Sequence, residues 1–187
     1  MSVPMLGEPL PVELANTSYA VRGRAREGLA TTGDLDAWLE TVRPRFPRSD
    51  PFPAASEEDL TSARDLRDTI RALVRSAVGG ERPAPAVVEA LNAHVRGAAR
   101  WKELTWDGDA PAVRACGTGP AVALALAAIA EQAVELFTGP RLADLRACHA
   151  PGCVLFFVKD HHRREWCSAG CGNRARAARH YEQVRDR

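Results

Sequence analysis

Cys148-His149-Ala150-Pro151-Gly152-Cys153, followed after thirteen residues by Cys167-Ser168-Ala169-Gly170-Cys171, is the stretch whose reading decides this chain. Zinc takes four thiolates at about 2.3 Å in a tetrahedron, and loops of two to four residues between cysteines fold two ligands onto one ion. Both pairs meet that requirement. Pro151 and Gly152 supply the turn that doubles the backbone back toward the metal. Val154, Leu155, Phe156, Phe157 and Val158 are strand formers and place a strand behind the first pair. Ser168 is placed as an N-cap, which sets Cys171 in the first turn of a helix, where the dipole favours thiolate. Unliganded thiols and an iron–sulfur cluster are the competing readings of the same cysteines; the spacing favours one structural zinc, closed by four protein ligands. So small a module has little apolar surface of its own, and zinc binding contributes an apparent ~10–16 kcal/mol to folding such modules. His149, His161 and His162 are then surplus to a saturated ion and read as surface residues.

The rest of the chain sets the context for this site. With 187 residues and 45% apolar content, it can bury one good-sized core and a small appendage, not two full domains. Residues 141–187 carry ten Lys+Arg against five Asp+Glu, a net of +5, and residues 1–140 carry the balancing −4. That asymmetry suits a polyanion-binding end on an acidic body. The longest apolar run, Ala121 to Ala130, is too short to span a bilayer, and MSVPMLGEPL lacks the features of a secretion signal. No membrane association and a cytoplasmic location are expected, where clustered cysteines serve as metal ligands rather than disulfides.

Along residues 1–140 the pattern is mainly helical. Residues 1–30 read as a short lead-in, with Asn16, Thr17 and Ser18 as a turn or cap, or as the lining of an effector pocket. Leu35, Trp38, Leu39 and Val42 recur at helical spacing behind a Thr32 cap. PRFPRSDPFP, residues 44–53, is a loop because its four prolines forbid a helix. Ser56 with Glu57, Glu58 and Asp59 opens a long helix whose stripe is Leu60, Ala63, Leu66, Ile70, Leu73, Val74 and Ala77, stopped at Gly79-Gly80. A helix follows from Pro85 to Val95. Residues 101–115 shift toward period two around Asp107-Gly108 and predict a small β-hairpin, with Trp101 and Trp106 as rings that stack a ligand or, the commoner case, as its core. Cys116 reads as a core thiol, and Pro120 to Phe137 as the central buried helix. The fold class is therefore mainly α: a helical bundle with a small β-hairpin over residues 1–140, and a treble-clef-like zinc module of short hairpin and helix over 141–187.

Trp166-Cys167-Ser168 with Cys171-Gly172-Asn173-Arg174 resembles the signature of the CGNR zinc-finger family, and the upstream Cys148-x4-Cys153 with Leu155-Phe156 is similar to that family too. The family usually has one more residue between its last two cysteines than Cys-Ser-Ala-Gly-Cys provides here. Its members carry an N-terminal helical domain called ABATE, and residues 13–95 resemble that domain at Glu13-Leu14-Ala15-Asn16-Thr17, Trp38-Leu39, Leu66-Arg67 and Leu91-Asn92. The resemblance implies a stress-induced transcription regulator that binds double-stranded DNA through the zinc module, with an N-terminal domain that senses a small-molecule effector or forms a homodimer.

At about 100° per residue, Arg176, Arg179, Gln183 and Arg187 fall on one stripe of the last helix, with Ala177, Ala178, Tyr181 and Val184 opposite. The apolar side is expected to pack on the zinc knuckle while the arginines meet phosphates or guanine edges. Lys159, Arg163 and Arg164 add a basic loop beside it. Arg174 and Asn173 are expected to support the site rather than read DNA, Arg174 by pairing with Asp160 or with the knuckle backbone. No P-loop, GxSxG, HExxH or dinucleotide fingerprint is present in the sequence, and no enzyme is expected. The alternative function is a redox- or metal-responsive sensor acting on a protein partner.

Overall fold

The structure is a computed structural model that describes residues 3–46, 51–107 and 110–185. Part of the proline-rich loop, Gly108 of the predicted turn, and Arg187 lie outside the described residues.

The chain enters its core at once. Helix α1 (Leu10–Ala15) starts behind Pro9 with Pro11 in its first turn, and all six of its residues are buried. This corrects the expected lead-in segment. A helix short and buried on every side has no polar face, so it shows no amphipathic period to read. Strands β1 (Ser18–Val21) and β2 (Arg24–Glu27) form an antiparallel hairpin with Tyr19 opposite Arg26 and Val21 opposite Arg24.

The next two helices begin in capping boxes. In α2 (Thr32–Val42) the cap is Thr31, one residue before the expected Thr32, because Asp34 closes the box with it. In α3 (Glu57–Gly79) Ser56 and Asp59 form the box, and Gly80, at φ 70°, ends the helix in the left-handed region that glycine tolerates best. The stripe of α3 from Leu60 to Val74 is buried as patterned, and Arg67 and Arg71 are buried with it. Helix α4 (Pro85–Arg96) follows, and then strands β3 (Ala99–Asp107) and β4 (Ala110–Thr118).

The expected hairpin forms as the antiparallel β3–β4 pair, but its expected core does not. Trp101 is 46% exposed and Trp106 67% exposed, so neither forms a hairpin core. The hairpin meets α5 at its base, where Gly117 lies against Leu124 and Arg100 pairs with Glu131, and a two-stranded ribbon covered only there leaves its aromatic side chains in solvent. Cys116, paired with Trp101 across the hairpin, is half-buried rather than a core thiol.

Helix α5 (Ala121–Thr138) is the bundle's central helix, burying nine residues from Val122 to Leu136. It runs beyond the apolar stretch noted in the sequence and is long and apolar enough to cross a bilayer by length and composition alone. In this fold half of it is buried among α1, α3 and α4.

After a 3-10 turn at Pro140–Asp144 come β5 (Leu145–Ala147) and β6 (Phe156–Val158), an antiparallel pair with Leu145 opposite Val158, and finally α6 (Ala169–Arg185). Leu145, Phe156 and Val158 belong to the bundle's own core. The side chain of Asn16 substitutes for a neighbouring strand, donating from Nδ2 to the Phe156 carbonyl and accepting from the Phe156 amide, both at 2.9 Å. Arg71 donates to the carbonyls of Ala15, Ser18 and Val154 and lies over the Phe156 ring. Buried Glu8 accepts from the Val158 amide at 2.8 Å. Asn16 and Thr17 have no exposed surface, so this turn is a latch between segments and does not line an open pocket.

Candidate metal centre

The β5–β6 hairpin carries the first two cysteines in its loop. The Cys148 amide donates to the Leu155 carbonyl and the Cys153 amide to the Ala150 carbonyl, which folds the loop back on itself. Gly152, at φ 70°, provides the left-handed turn. The second pair sits at the start of α6, where the Cys171 amide donates to Ser168 Oγ at 3.3 Å, the N-cap bond expected of Ser168.

These two elements bring the Sγ atoms of Cys148, Cys153, Cys167 and Cys171 within 4.8 Å of one another. Cys153 and Cys167 are 3.8 Å apart and Cys167 and Cys171 3.4 Å. A tetrahedron with arms of about 2.3 Å has edges of about 3.8 Å, so the four sulfurs fit a tetrahedral four-thiolate metal site. His149, His161 and His162 are exposed and outside the cluster.

Electrostatics explain why such a cluster calls for a cation. The Cys148 thiol is pushed far below its ordinary value by hydrogen bonds from the thiols of Cys153 and Cys167, helped by the backbone amides of Cys167 and Ala150. Cys153 is pushed up to about 11, chiefly because its proton is shared with Cys148, and Cys167 rises for the same reason. The shared protons favour thiolate at Cys148 and thiol at Cys153 and Cys167. A bound divalent cation removes that conflict, since a coordinating thiol is deprotonated outright.

The surroundings are part of the site. Tyr19, Ala150, Leu155 and Phe157 are packed with three of the cysteines, and Leu6, Val21 and Trp166 lean against them. The arginine of the CGNR signature, Arg174, donates from Nη2 to Cys171 Sγ at 3.0 Å. Its partner is thus a ligand sulfur, not Asp160 and not the knuckle backbone. A cationic donor on a ligand sulfur stabilises the thiolate and fixes its orientation. Asn173 is exposed and accepts from Arg176 Nη2 at 2.6 Å.

The predicted DNA-contact residues divide sharply. Arg176, Arg179 and Gln183 are exposed along α6, and Arg163 is exposed in the preceding loop. Lys159 is half-buried. Arg164 must be removed from the contact set. Its Nη2 pairs with Glu8 at 2.5 Å and donates to the Cys167 carbonyl, and its Nη1 meets the Val158 carbonyl and Asp160. Its Nε reaches the Trp166 carbonyl, and the guanidinium lies over the Phe157 ring. Four hydrogen bonds tie its guanidinium to Glu8 and to the Val158, Trp166 and Cys167 carbonyls, and the remaining contact is an ion pair with exposed Asp160. The expected packing of α6 is corrected too. Only Cys171, Gly172 and Ala175 are buried, whereas Tyr181 is 73% and Val184 57% exposed. The contact with the knuckle is made by the first turn and a half, because small residues there let the helix approach Trp166 closely, and the rest of the helix extends past it.

Sequence reasoning missed Glu8, Asn16, Arg71 and the β1–β2 hairpin as parts of this region. Their partners in this region lie 83 to 156 residues away in the chain or across the knuckle, beyond any local pattern.

Comparison with curated proteins gives no match. Two family models do match: residues 8–140 match ABATE, described as "Putative stress-induced transcription regulator", and residues 145–183 match the CGNR zinc finger. A helical bundle latched to a four-cysteine knuckle, with both models matching in that order, makes this chain a member of the ABATE family with a CGNR zinc finger behind its helical domain.

Proposed function

We propose that the chain is a non-catalytic cytoplasmic transcription regulator whose four cysteines hold one structural zinc and whose α6 presents arginines to double-stranded DNA. The observation that carries this reading is the mounting of α6. Its first turn supplies Cys171 to the cluster, and from Arg176 to Arg185 every residue but half-buried Ala178 is exposed, Arg176 and Arg179 among them. A knuckle, a short hairpin and a ligand-bearing helix form a treble-clef-like module, in which the ion fixes the direction of the helix. Backbone phosphates would supply most of the affinity, with each neutralised phosphate lowering the slope of log K against log salt by about 0.9. Replacing Arg176 and Arg179 by alanine should weaken duplex binding and flatten its salt dependence, with zinc content and helical signal retained. Unchanged affinity in that double variant would remove α6 from the interface.

One observation favours a second reading, a thiol-based sensor. A cavity of about 360 Å³ opens onto Cys153, Cys167 and Cys171, giving a small oxidant a route to the ligand sulfurs. In that case mild peroxide ejects zinc while the bundle stays folded. Retention of the metal under such treatment argues against it.

A further inference from the structure

The β1–β2 turn reads Val21-Arg22-Gly23-Arg24-Ala25-Arg26, three arginines in five residues, all exposed. Strand partners directly opposite each other share a face. Arg26 is opposite Tyr19 and Arg24 opposite Val21, and Tyr19 and Val21 are the β1 side chains packed on the cysteine cluster. Arg24 and Arg26 therefore lie on the face of the hairpin that covers the metal centre, at its open edge. The tip is pinned to the knuckle as well: a Cβ on Gly152 would stand 3.2 Å from Gly23 Cα and N, so the two turns meet backbone to backbone.

Arg22 adds an independent observation. It has φ 51° beside Gly23 at φ 76°, and it is the one non-glycine residue with positive φ among those described. A two-residue hairpin turn with both residues left-handed favours Asn, Asp or Gly in the first place. Arginine there accepts backbone strain of about 1–2 kcal/mol and brings no local hydrogen-bonding side chain in return. What it brings is charge at the tip. Val21 and the three arginines enclose a concavity of about 480 Å³, and Val21 also borders the adjoining cavity shared by Ser168, Cys171 and Arg174 at the start of α6.

We propose that the β1–β2 turn is a second DNA-contacting element, in which Arg22, Arg24 and Arg26 bind backbone phosphates of the duplex engaged by α6. The proposal rests on the reading of the zinc module as a duplex-DNA binder, and it adds an arm from the helical domain to that surface. The knuckle is then clasped between two basic elements from opposite ends of the chain, and the metal sets their separation.

The test measures binding of the full chain, zinc loaded, to a mixed-sequence 20-base-pair DNA duplex across a salt series. Replacing Arg22, Arg24 and Arg26 by glutamine should weaken binding tenfold or more near 0.1 M salt and make the log K against log salt slope shallower by about 2 to 3. The lysine triple should retain most of the affinity, since phosphate contact reads charge before shape. A charge-matched control with Arg82, Lys102 and Arg114 changed to glutamine should bind like the wild type. Wild-type affinity and slope in the glutamine triple, with the Arg176/Arg179 variant weakened, would overturn the arm and leave the zinc-module reading standing. An equal loss in the control triple would also overturn it, by reducing the effect to net charge. Absence of binding by the wild type at low salt would overturn both. Metal content and thermal midpoint of each variant separate lost contacts from lost fold.

Discussion

The two halves of the zinc-finger segment, β5 to Cys167 and α6, are joined at one set of cysteines and yet sit in opposite environments. The first half is built into the helical domain: Phe156 and Val158 lie in its core, Asn16 and Glu8 take up their backbone amides, and Arg164 seals the loop from the outside. The second half buries three residues and extends into solvent. The difference teaches that this finger is not a bead on a linker. Its knuckle is part of the body, the cysteine site is the joint, and α6 is the part free to meet a partner.

That contrast can be broken in graded steps. The largest effect should come from the joint itself. Chelating the metal, or Cys171→Ser, should release α6 and the loop before it, with trypsin cleaving at Lys159, Arg163 and Arg164 while the bundle survives. Structural zinc contributes an apparent ~10–16 kcal/mol in small modules, so the metal-free segment should not hold its fold. A digestion pattern unchanged by chelation would mean that packing alone holds the module.

Next is the latch. Asn16→Ala leaves a buried amide and a buried carbonyl of Phe156 without partners, and at about 1–3 kcal/mol each the urea unfolding free energy should fall by about 2–6 kcal/mol. A loss below about 1 kcal/mol would show that β6 is held by its side chains and not by Asn16. Arg164→Ala should cost about 3 kcal/mol because it strands the buried Glu8 carboxylate, whereas Arg163→Ala, its exposed neighbour, should stay within about 0.5 kcal/mol. Equal effects would return Arg164 to the surface. Smallest of all, Tyr181→Ala and Val184→Ala in α6 should change stability by less than about 0.5 kcal/mol, against the larger loss expected had that face packed on the knuckle.

How much of this was legible in the sequence follows from the range of the interactions. Ser56 with Asp59, the stripe of α3 and the cysteine spacing are local patterns, and each reads correctly because cause and effect lie within a few residues. Asn16 is an ordinary turn residue until Phe156 is placed against it, 140 residues further on. Arg164 belongs by charge to the basic run Lys159 to Arg164, and only the position of Glu8 and Phe157 turns it inward. The alternation that predicted the β3–β4 hairpin fixes its strands but not its neighbours, so the exposure of Trp106 could not be read from it. Arg22, Arg24 and Arg26 escaped notice because the acidic balance of residues 1–140 hides a local basic turn.

The central claim is that the four sulfurs are one metal site, on which the direction of α6 depends. Elemental analysis of the purified full-length chain, with free thiols titrated in parallel under native conditions, tests it most directly. One zinc per chain is expected, with only Cys116 reacting freely and the other four cysteines becoming reactive when the metal is chelated. A chain that carries no metal, with all five thiols reactive while α6 keeps its helical signal, would contradict it.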